Sequence, residues 1–391
     1  MNQATPTAAQ GGATATHPPD LPVNLAGYAE GARAALGPAA WAYLSGGAAD
    51  EITLRANPAA WGRIGLRPRV LQPLAHGHTR VELFGRVWPH PIALAPLAYQ
   101  RLFHPGGELA SALAAAAQGA GFVLSTQAST RLEDVAQAVA ADAGRGALWF
   151  QLYLQGDRAA DLELLHRAEA AGYEALVLTV DAPCHGARDR ERAAGFTLPA
   201  GVRAVNLRTP AGDAPALRHG ESALFEHLLC HAPTWDDVAW LRAQTRLPLL
   251  LKGVTHPADA RQAQALGVDG LIVSNHGGRT LDTVLPTATL LPAVADAVGE
   301  GLPLLVDGGI RRGTDVLKAL ALGARAVLTG RPYAWALAHR GAHGVAHVLR
   351  LLRDELEIAM ALVGVRTLDA LRRDHLQLLP PTPQQDFRWT D

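Results

Sequence analysis

The chain has 391 residues, of which 49% are hydrophobic and 18% charged, and its 35 Lys and Arg nearly balance 36 Asp and Glu. This length accommodates two or three ordinary domains or one large α/β barrel. The balanced charge provides no field of one sign to attract nucleic acid or an anionic membrane, so neither is an expected partner.

The two cysteines, Cys184 and Cys230, are too few for a disulfide framework or a four-cysteine zinc site. This cysteine content favours a reducing compartment, and we expect a cytoplasmic location and no metal. No apolar run has the length needed to span a bilayer, and the N-terminus lacks the features of a secretory signal. The sequence therefore predicts a soluble, unprocessed protein.

The first 90 residues predict a tail followed by a helical region. Residues 1–20 are rich in Ala, Thr, Gly and Pro, bury almost nothing and are predicted to be disordered. Within 21–90, apolar residues from Leu25 to Leu44 recur at helical spacing with a break at Gly37-Pro38, which indicates two short helices. Residues 57–89 contain scattered prolines and short β-like runs.

Eight short apolar runs, nearly all followed by an Ala- and Leu-rich helical stretch, fill residues 91–380. The runs are 92–98, 122–126, 148–153, 175–181, 247–254, 270–276, 303–309 and 326–332. Apolar runs without alternation indicate strands that are buried on both faces, as in a parallel sheet. The pattern predicts an α/β fold, a TIM (β/α)8 barrel with an N-terminal helical extension. A doubly wound sheet is the alternative, but no G-x-G-x-x-G follows the first run.

A long connection follows the fourth predicted strand. Residues 183–235 contain several prolines and the charged run 188–192. An insertion of this length after a barrel strand is typical of a lid over the catalytic face. A surface loop that serves assembly is the alternative for its distal half.

Polar residues stand at the carboxyl ends of the predicted strands, where a barrel would bring them to one rim. They are Ser125, Gln151, Tyr153, Thr179, Asp181, Lys252, Ser274, His276, Asp307 and Arg331. Packing alone does not require a ring of polar residues there, whereas barrel enzymes place their sites at this rim. We expect these residues to form the functional site.

The last two strand–helix units predict a phosphate site. One carries Asp307-Gly308-Gly309-Ile310-Arg311-Arg312-Gly313 and the other Gly330-Arg331. Glycines let backbone N–H groups approach a phosphate, the following helix N-terminus adds its dipole, and arginine adds a bidentate charge. A tight structural turn is the alternative interpretation of the first segment alone.

A His–Asp pair and two arginines suggest proton abstraction from a substrate that carries a carboxylate. Asp181 could hold the ring of His276 in the tautomer that abstracts a proton, and Arg279 and Arg188 could bind a carboxylate. Because Arg188 stands in the charged run 188–192, the alternative is that its side chain is exposed to solvent and binds no substrate. Lys252 ends an apolar run, so we expect it to neutralise a charge or to form a Schiff base.

These motifs together resemble the FMN-dependent α-hydroxy acid oxidising enzymes, the family of glycolate oxidase, lactate oxidase and mandelate dehydrogenase. The resemblance extends from about Asn24 to His375 and rests on the segments 150–153, 178–181, 274–279 and 307–313. The run 95–105 further looks like the hydroxymandelate oxidase branch. The family implies a TIM barrel with FMN on its C-terminal face and a homotetrameric assembly.

The resemblance also implies a role for each matching residue. The FMN would contact Pro96, Leu97, Ala98, Ser125, Gln151, Thr179, Lys252, Ser274, Asp307, Gly308, Gly309, Arg311, Gly330 and Arg331. His276 would take the α-hydroxyl proton as hydride passes to flavin N5, or the Cα proton in a carbanion route. Asp181 would stabilise the imidazolium, Tyr153 would hydrogen-bond the reacting oxygen, and the carboxylate would be bound by Tyr43, Arg188 and Arg279.

The expected reaction is oxidation of an L-2-hydroxy acid to the 2-oxo acid, with O2 as acceptor and H2O2 as product. Leu97 stands where a Thr is usual in glycolate oxidase, and Gln127 where a Trp often walls the pocket. Because Gln127 leaves more room than a Trp and the run 99–103 resembles enzymes that accept aryl hydroxy acids, a mandelate-like substrate is predicted. The alternatives are a lactate- or glycolate-type oxidase, a dehydrogenase with another electron acceptor, and a Schiff-base aldolase that uses Lys252. Cys184 and His185 receive no role.

Overall fold

The computed structural model describes residues 21–208 and 221–379 of the chain. The predicted tail, residues 1–20, lies outside the described residues, as do part of the predicted insertion and the last residue of the predicted barrel region. Both predicted N-terminal helices are present, α1 (Leu25–Ala35) and α2 (Pro38–Ser45). The side chain of Asn24 caps α1 by accepting a hydrogen bond from Gly27 N, and α2 begins at a proline, which lacks the N–H that a first turn leaves unpaired.

The rest of the N-terminal region has more structure than the scattered prolines predicted. It contains α3 (Ile52–Gly62), β1 (Ile64–Leu66), β2 (Val81–Leu83) and β3 (Arg86–Trp88). Strands β2 and β3 pair as an antiparallel hairpin, and the Trp88 ring packs 5.2 Å from the Trp149 ring near the start of a barrel strand. The hairpin therefore covers the N-terminal end of the barrel and leaves the other end open.

Eight parallel strands close into a barrel, which confirms the predicted fold and excludes the doubly wound sheet. They are β4 (Ile92–Leu94), β5 (Gly121–Ser125), β6 (Leu148–Leu152), β7 (Ala175–Thr179), β8 (Leu249–Lys252), β9 (Gly270–Val273), β10 (Leu304–Val306) and β11 (Ala326–Thr329). Neighbouring strands pair in chain order, and β11 closes the ring on β4. Every residue of these strands is buried, as parallel strands covered on both faces require.

Helices surround the barrel and extend from it. They are α4 (Gly107–Gln118), α5 (Leu132–Val139), α6 (Arg158–Ala170), α7 (Asp189–Ala193), α8 (Trp235–Gln244), α9 (Pro257–Ala265), α10 (Thr287–Val298), α11 (Gly313–Ala321) and α12 (Arg331–Val363). One-turn helical segments lie at Gln100–Leu102, Leu224–Leu228, Leu229–His231, Gly299–Gly301, Leu368–Ala370 and Arg373–His375. Helices α7, α8 and α12 were not predicted from the sequence. Arg340 and Gly341 break α12 into two helices that pack against α1 and α4. Strand β12 (Leu376–Leu378) returns to pair with β1.

The predicted strands were too long at their carboxyl ends. Several of them continued past the last paired strand residue into polar rim residues such as Asp181, His276 and Asp307, because these directly follow the apolar runs. In the structure the chain turns out of the sheet there, with a left-handed backbone at His276 (φ 55°) and Gly308 (φ 91°). This turn carries the polar side chains onto the rim.

Side chains of helix α3 form hydrogen bonds with the rim loops that follow β9 and β10. The amides of Asn57 and Asn275 form a reciprocal pair, with N–O distances of 2.9 and 2.8 Å. Trp61 Nε1 donates to the carbonyl of Gly308 at 2.8 Å. A Cβ on Gly309 would lie 2.5 Å from the backbone of Asn57, so only glycine permits this approach. The N-terminal extension is therefore part of the scaffold of the rim.

His90, between β3 and β4, predicts an acid-sensitive stability. Its fully buried ring donates from Nε2 to the carbonyl of Gln118 at 2.9 Å, and burial lowers its pKa to about 4. Unfolded His90 binds a proton below about pH 6.5. Between these values the unfolded state holds the extra proton, so the free energy of unfolding falls as pH falls, by about 2–3 kcal/mol between pH 7 and pH 4.5.

The variant His90→Gln keeps an N–H donor and lacks this titration, so we expect it to lose correspondingly less stability between those two pH values. Denaturant unfolding at each pH measures the difference. His166→Gln, at an exposed position on α6, is the matched control and should behave as the wild type. Equal losses in wild type and His90→Gln would show that the His90 imidazole does not titrate as inferred.

Candidate active site

A cavity of about 800 Å³ opens at the carboxyl ends of the strands. Of the residues predicted for the site, the structure places these on its lining: Tyr43, Pro96, Leu97, Ala98, Ser125, Gln151, Tyr153, Thr179, Arg188, Lys252, His276, Arg279, Asp307, Gly308, Gly309, Arg311, Gly330 and Arg331. Asp181 and Ser274 stand behind this lining and contact it through His276 and Lys252. The predicted residues therefore meet in one place.

His276 and Asp181 form the predicted pair. Asp181 Oδ1 lies 2.8 Å from His276 Nδ1, so Nδ1 donates and Nε2 is left to accept a proton. Burial acts to raise the pKa of Asp181, but the charges of His276 and Lys252 outweigh it and lower that pKa below its usual value. The carboxylate is thus ionised and can stabilise a protonated imidazole.

Gly253 makes this pair possible. It follows β8 with φ 107°, and a Cβ there would lie 2.4 Å from both Cβ and Cγ of Asp181. Real Cβ contacts are never this short, so a side chain at this position would displace the carboxylate. Sequence reasoning did not single out Gly253, because its requirement depends on a residue 72 positions earlier in the chain.

Lys252 is a buried cation whose ammonium group contacts a hydroxyl and a carboxylate. Its Nζ donates to Ser274 Oγ at 3.0 Å and lies 3.5 Å from Asp307 Oδ2. Burial acts to lower the pKa of Lys252, but the carboxylates of Asp307 and Asp181 outweigh it and raise that pKa. The ammonium is therefore protonated at neutral pH, which does not suit a Schiff-base nucleophile, since such a lysine needs a lowered pKa.

A second group of cations has no carboxylate partner in the part of the chain that the structure describes. Within residues 21–208 and 221–379, neither Arg311 nor Arg331 forms an ion pair with an acidic side chain. Arg331 donates to the carbonyls of Gly277 and Gly46 at 2.9 and 2.7 Å. Burial lowers the pKa of Arg311 to about 10 and, with neighbouring arginines, that of Arg331 as well. Two half-buried positive charges beside a glycine turn fit an anion with several oxygens.

Unsatisfied polar atoms concentrate in this cavity. Among the described residues, the buried side-chain atoms at this end of the barrel that lack a hydrogen-bond partner are Gln151 Nε2, Asp181 Oδ2, Arg188 Nε, Asp307 Oδ1, Thr329 Oγ1 and Arg331 Nε. An unpaired buried polar atom costs about 1–3 kcal/mol, and natural proteins rarely tolerate several together. The cavity therefore needs a polar ligand that supplies both donors and acceptors.

The two arginines predicted to bind a carboxylate lie together at the outer side of the cavity. Arg279 Nη1 donates to the carbonyls of Tyr43 and Gly46 at 2.7 and 2.9 Å, and its Nη2 donates to Glu191 Oε1 at 3.1 Å. Arg188 Nη1 lies 3.3 Å from the same oxygen. Arg188 is thus a member of the site and not a solvated surface cation. Glu191 was missed, because it stands in a charged run that ordinarily indicates an exposed face.

An aromatic wall lines the cavity opposite the strands. The Tyr43 ring stacks on Phe196 with centroids 4.6 Å apart and lies within 6.5 Å of the rings of Tyr99 and Phe103. Burial raises the pKa of Tyr43, and it raises that of Tyr153 to about 12. Both phenols are therefore neutral at physiological pH and can donate a hydrogen bond.

Comparison with known proteins identifies relatives over nearly the whole chain. The model of the family described as FMN-dependent dehydrogenase matches residues 32–378. An L-lactate oxidase of Roseobacter sp. (strain GAI101) is 51% identical over 360 residues, which cover 92% of this chain and 96% of that protein. A 4-hydroxymandelate oxidase of Amycolatopsis orientalis is 45% identical over 359 residues, which cover 91% and 98%.

Solved structures give the same result. A crystal structure of mandelate oxidase with (S)-2-phenylpropionate superposes with a TM-score of 0.81 at 44% identity, covering 91% of this chain and 98% of that one.

No helix in the described part of the chain has the length and apolarity to cross a membrane. Across those same residues, no cluster of three or more His, Cys, Asp or Glu side chains could hold a metal ion.

The tight contact at Gly253 predicts a specific cost for an added methyl group. Gly253→Ala should lower the free energy of unfolding by about 1 kcal/mol for the left-handed backbone and by about 1–3 kcal/mol more for the clash with Asp181. Gly172→Ala is the matched control, since Gly172 has φ 85° and open space around it, so that variant has only the backbone cost. Denaturant unfolding compares the two variants. Equal costs would contradict the inferred contact.

Proposed function

Because this chain belongs to the FMN-dependent dehydrogenase family, we propose that it binds FMN and oxidises an L-2-hydroxy acid to the 2-oxo acid, with O2 as electron acceptor and H2O2 as product. One observation supports this most strongly. One cavity is bordered by His276, which is paired with Asp181, by the two outer arginines, and by Arg311 and Arg331, which form no ion pair within the described residues.

The residues of the cavity fit FMN. Its phosphate would meet Arg311, Arg331 and the backbone around Gly309, where no carboxylate of the described residues pairs with the positive charges. The unsatisfied Gln151 Nε2 and the ammonium of Lys252, which donates to Ser274 Oγ, match the polar edge of a flavin ring. The further residues that would hold it are Pro96, Leu97, Ala98, Ser125, Thr179, Ser274, Asp307, Gly308 and Gly330. When bound, FMN supplies a two-electron acceptor for the substrate's hydrogen.

The outer arginines would bind and orient the substrate. Arg279 and Arg188 offer fixed N–H donors to its carboxylate, and the neutral phenol of Tyr43 adds a donor beside them. Tyr153, also neutral, would hydrogen-bond the α-oxygen. These contacts fix the α-carbon close to His276, and such positioning is a large part of the rate enhancement in reactions of bound substrates.

His276 would act as the general base. Its Nδ1 proton is held by Asp181, so the proton of the substrate goes to Nε2 and the resulting imidazolium is stabilised by the ionised carboxylate. Lys252 stays protonated and provides a fixed positive charge at the inner side of the cavity. This protonated state removes the support for the Schiff-base aldolase alternative.

The substrate side chain would face the aromatic wall. Tyr99, Phe103 and Phe196 provide an apolar, polarizable surface, and Gln127 leaves room for a ring. We therefore propose a mandelate-like acid, in line with the names of the mandelate and 4-hydroxymandelate oxidases similar to this chain. Lactate is the second candidate, because the Roseobacter relative at 51% identity is named an L-lactate oxidase.

We also propose that the protein forms a homo-oligomer, a tetramer by the family resemblance. We propose a cytoplasmic location as well. Val70, Leu71 and Leu362 are 78%, 99% and 71% exposed, and the backbone of Arg69 bonds to that of Val363 beside them. Exposed apolar side chains brought together in this way support a contact with another copy of the chain. The low cysteine content supports the cytoplasm. Sedimentation of the purified protein measures the assembly.

The variant His276→Ala tests the proposed base. We expect it to retain FMN and to reduce it about 10²–10⁴-fold more slowly on anaerobic mixing with substrate, because the proton acceptor is removed. His185→Ala is the matched control, since this second imidazole also lines the cavity but does not bond to Asp181. That control should stay within about tenfold of the wild type. Near-normal reduction in His276→Ala would exclude the assignment.

The substrate class is tested by kcat/KM values for glycolate, lactate, mandelate and 4-hydroxymandelate. We expect mandelate to be oxidised at least as efficiently as glycolate, because burial of the phenyl ring against the aromatic wall contributes about 25 cal/mol per Å² of apolar area. A preference for glycolate over both aryl acids would contradict the proposed pocket. A preference for lactate over both would favour the second candidate.

A further inference from the structure

Glu191 occupies the centre of the site that the proposed function gives to the substrate carboxylate. Its Oε1 accepts from Arg279 Nη2 at 3.1 Å and from Arg188 Nη1 at 3.3 Å, and its Oε2 lies 3.4 Å from Arg188 Nη1. The side chains of all three residues are less than one-fifth exposed. This carboxylate is part of the cavity lining, on the short helix α7.

The two guanidinium groups still have donors left for a second carboxylate. Arg279 uses both Nη1 protons on backbone carbonyls and one Nη2 proton on Glu191, which leaves Nε–H and one Nη2–H. Arg188 Nε is buried and has no partner within the described residues. Glu191 therefore fixes both arginines without using all of their hydrogen-bonding capacity.

The charges around the cavity balance in separate groups. Lys252 lies beside Asp307, and His276 beside Asp181. Arg190, the neighbour of Glu191 in the chain, forms its ion pair with Glu51. The positive charges of Arg311 and Arg331 match the nearly two negative charges of a bound phosphate monoester. Arg188, Arg279 and Glu191 together then carry one net positive charge.

We propose that Glu191 is a specificity-determining residue: by cancelling one of two guanidinium charges, it makes the site accept 2-hydroxy acids with one carboxylate and reject those with two. This inference rests on the proposed function. Charges a few ångströms apart in a partly buried site interact strongly, so one charge more or less alters the relative affinity for a dianion by at least tenfold.

The comparison of lactate with 2-hydroxymalonate tests the proposal, because the two acids differ by a methyl group in place of a second carboxylate. The measured quantity is the ratio of kcat/KM for 2-hydroxymalonate to that for L-lactate. In the wild type with its FMN we expect a ratio well below one. In Glu191→Gln, which keeps the shape and one hydrogen bond, we expect the ratio to rise at least tenfold.

Two further variants separate charge from other effects. Asp189→Asn removes one negative charge from the same helix, but Asp189 is exposed and pairs with Arg192, so the ratio should stay within about twofold of the wild type. Glu191→Asp keeps the charge at a shorter reach and should alter KM for both acids while leaving their ratio near the wild-type value.

A wild type that prefers 2-hydroxymalonate would overturn the proposal, as would a Glu191→Gln variant that changes both substrates in parallel. If Glu191→Gln loses its flavin, the wild-type and Glu191→Asp ratios decide the question, and a tenfold rise in Glu191→Asp would also contradict the role of charge. Failure of the proposed function is a different result, in which no 2-hydroxy acid reduces the flavin of the wild type.

Discussion

The structure depends on one electrostatic constraint: the open end of the barrel buries more positive charge than its own carboxylates neutralise. Arg311 and Arg331 have no acidic partner among the described residues, and the charges of Arg279 and Arg311 add to burial in lowering the pKa of Arg331. Burial of such charges is costly unless an anion compensates them. The proposed ligands, a phosphate on one side of the cavity and a carboxylate on the other, would supply this compensation.

The scaffold that positions the charged residues of the rim has two parts. Parallel strands place their carboxyl ends on one rim, and the helix α3 supports the loops that follow β9 and β10 through Asn57 and Trp61. Left-handed backbone at His276 and glycine at positions 253 and 309 allow side chain and backbone to approach more closely than an ordinary residue would permit. The geometry of the site thus depends partly on positions that carry no functional group, such as Gly253 and Gly309.

Much of this could be predicted from the sequence, because the signals were local. Uninterrupted apolar runs indicated the parallel strands, and polar residues directly after them indicated the rim and the Asp181–His276 pair. What was missed depends on distant contacts. Helix α3 is stabilised by Asp282, which accepts from the N–H groups of Ile52 and Thr53 some 230 residues away. Glu191 shares a charged run with exposed residues, and only the fold distinguishes it from them.

The most direct test of the central claim is the visible spectrum of the purified protein before and after anaerobic addition of mandelate or lactate. We predict a flavin absorption band that bleaches on addition of the acid and returns when air is admitted, with H2O2 formed in proportion to the acid oxidised. A protein that carries flavin but keeps its oxidised spectrum with every 2-hydroxy acid would contradict the account.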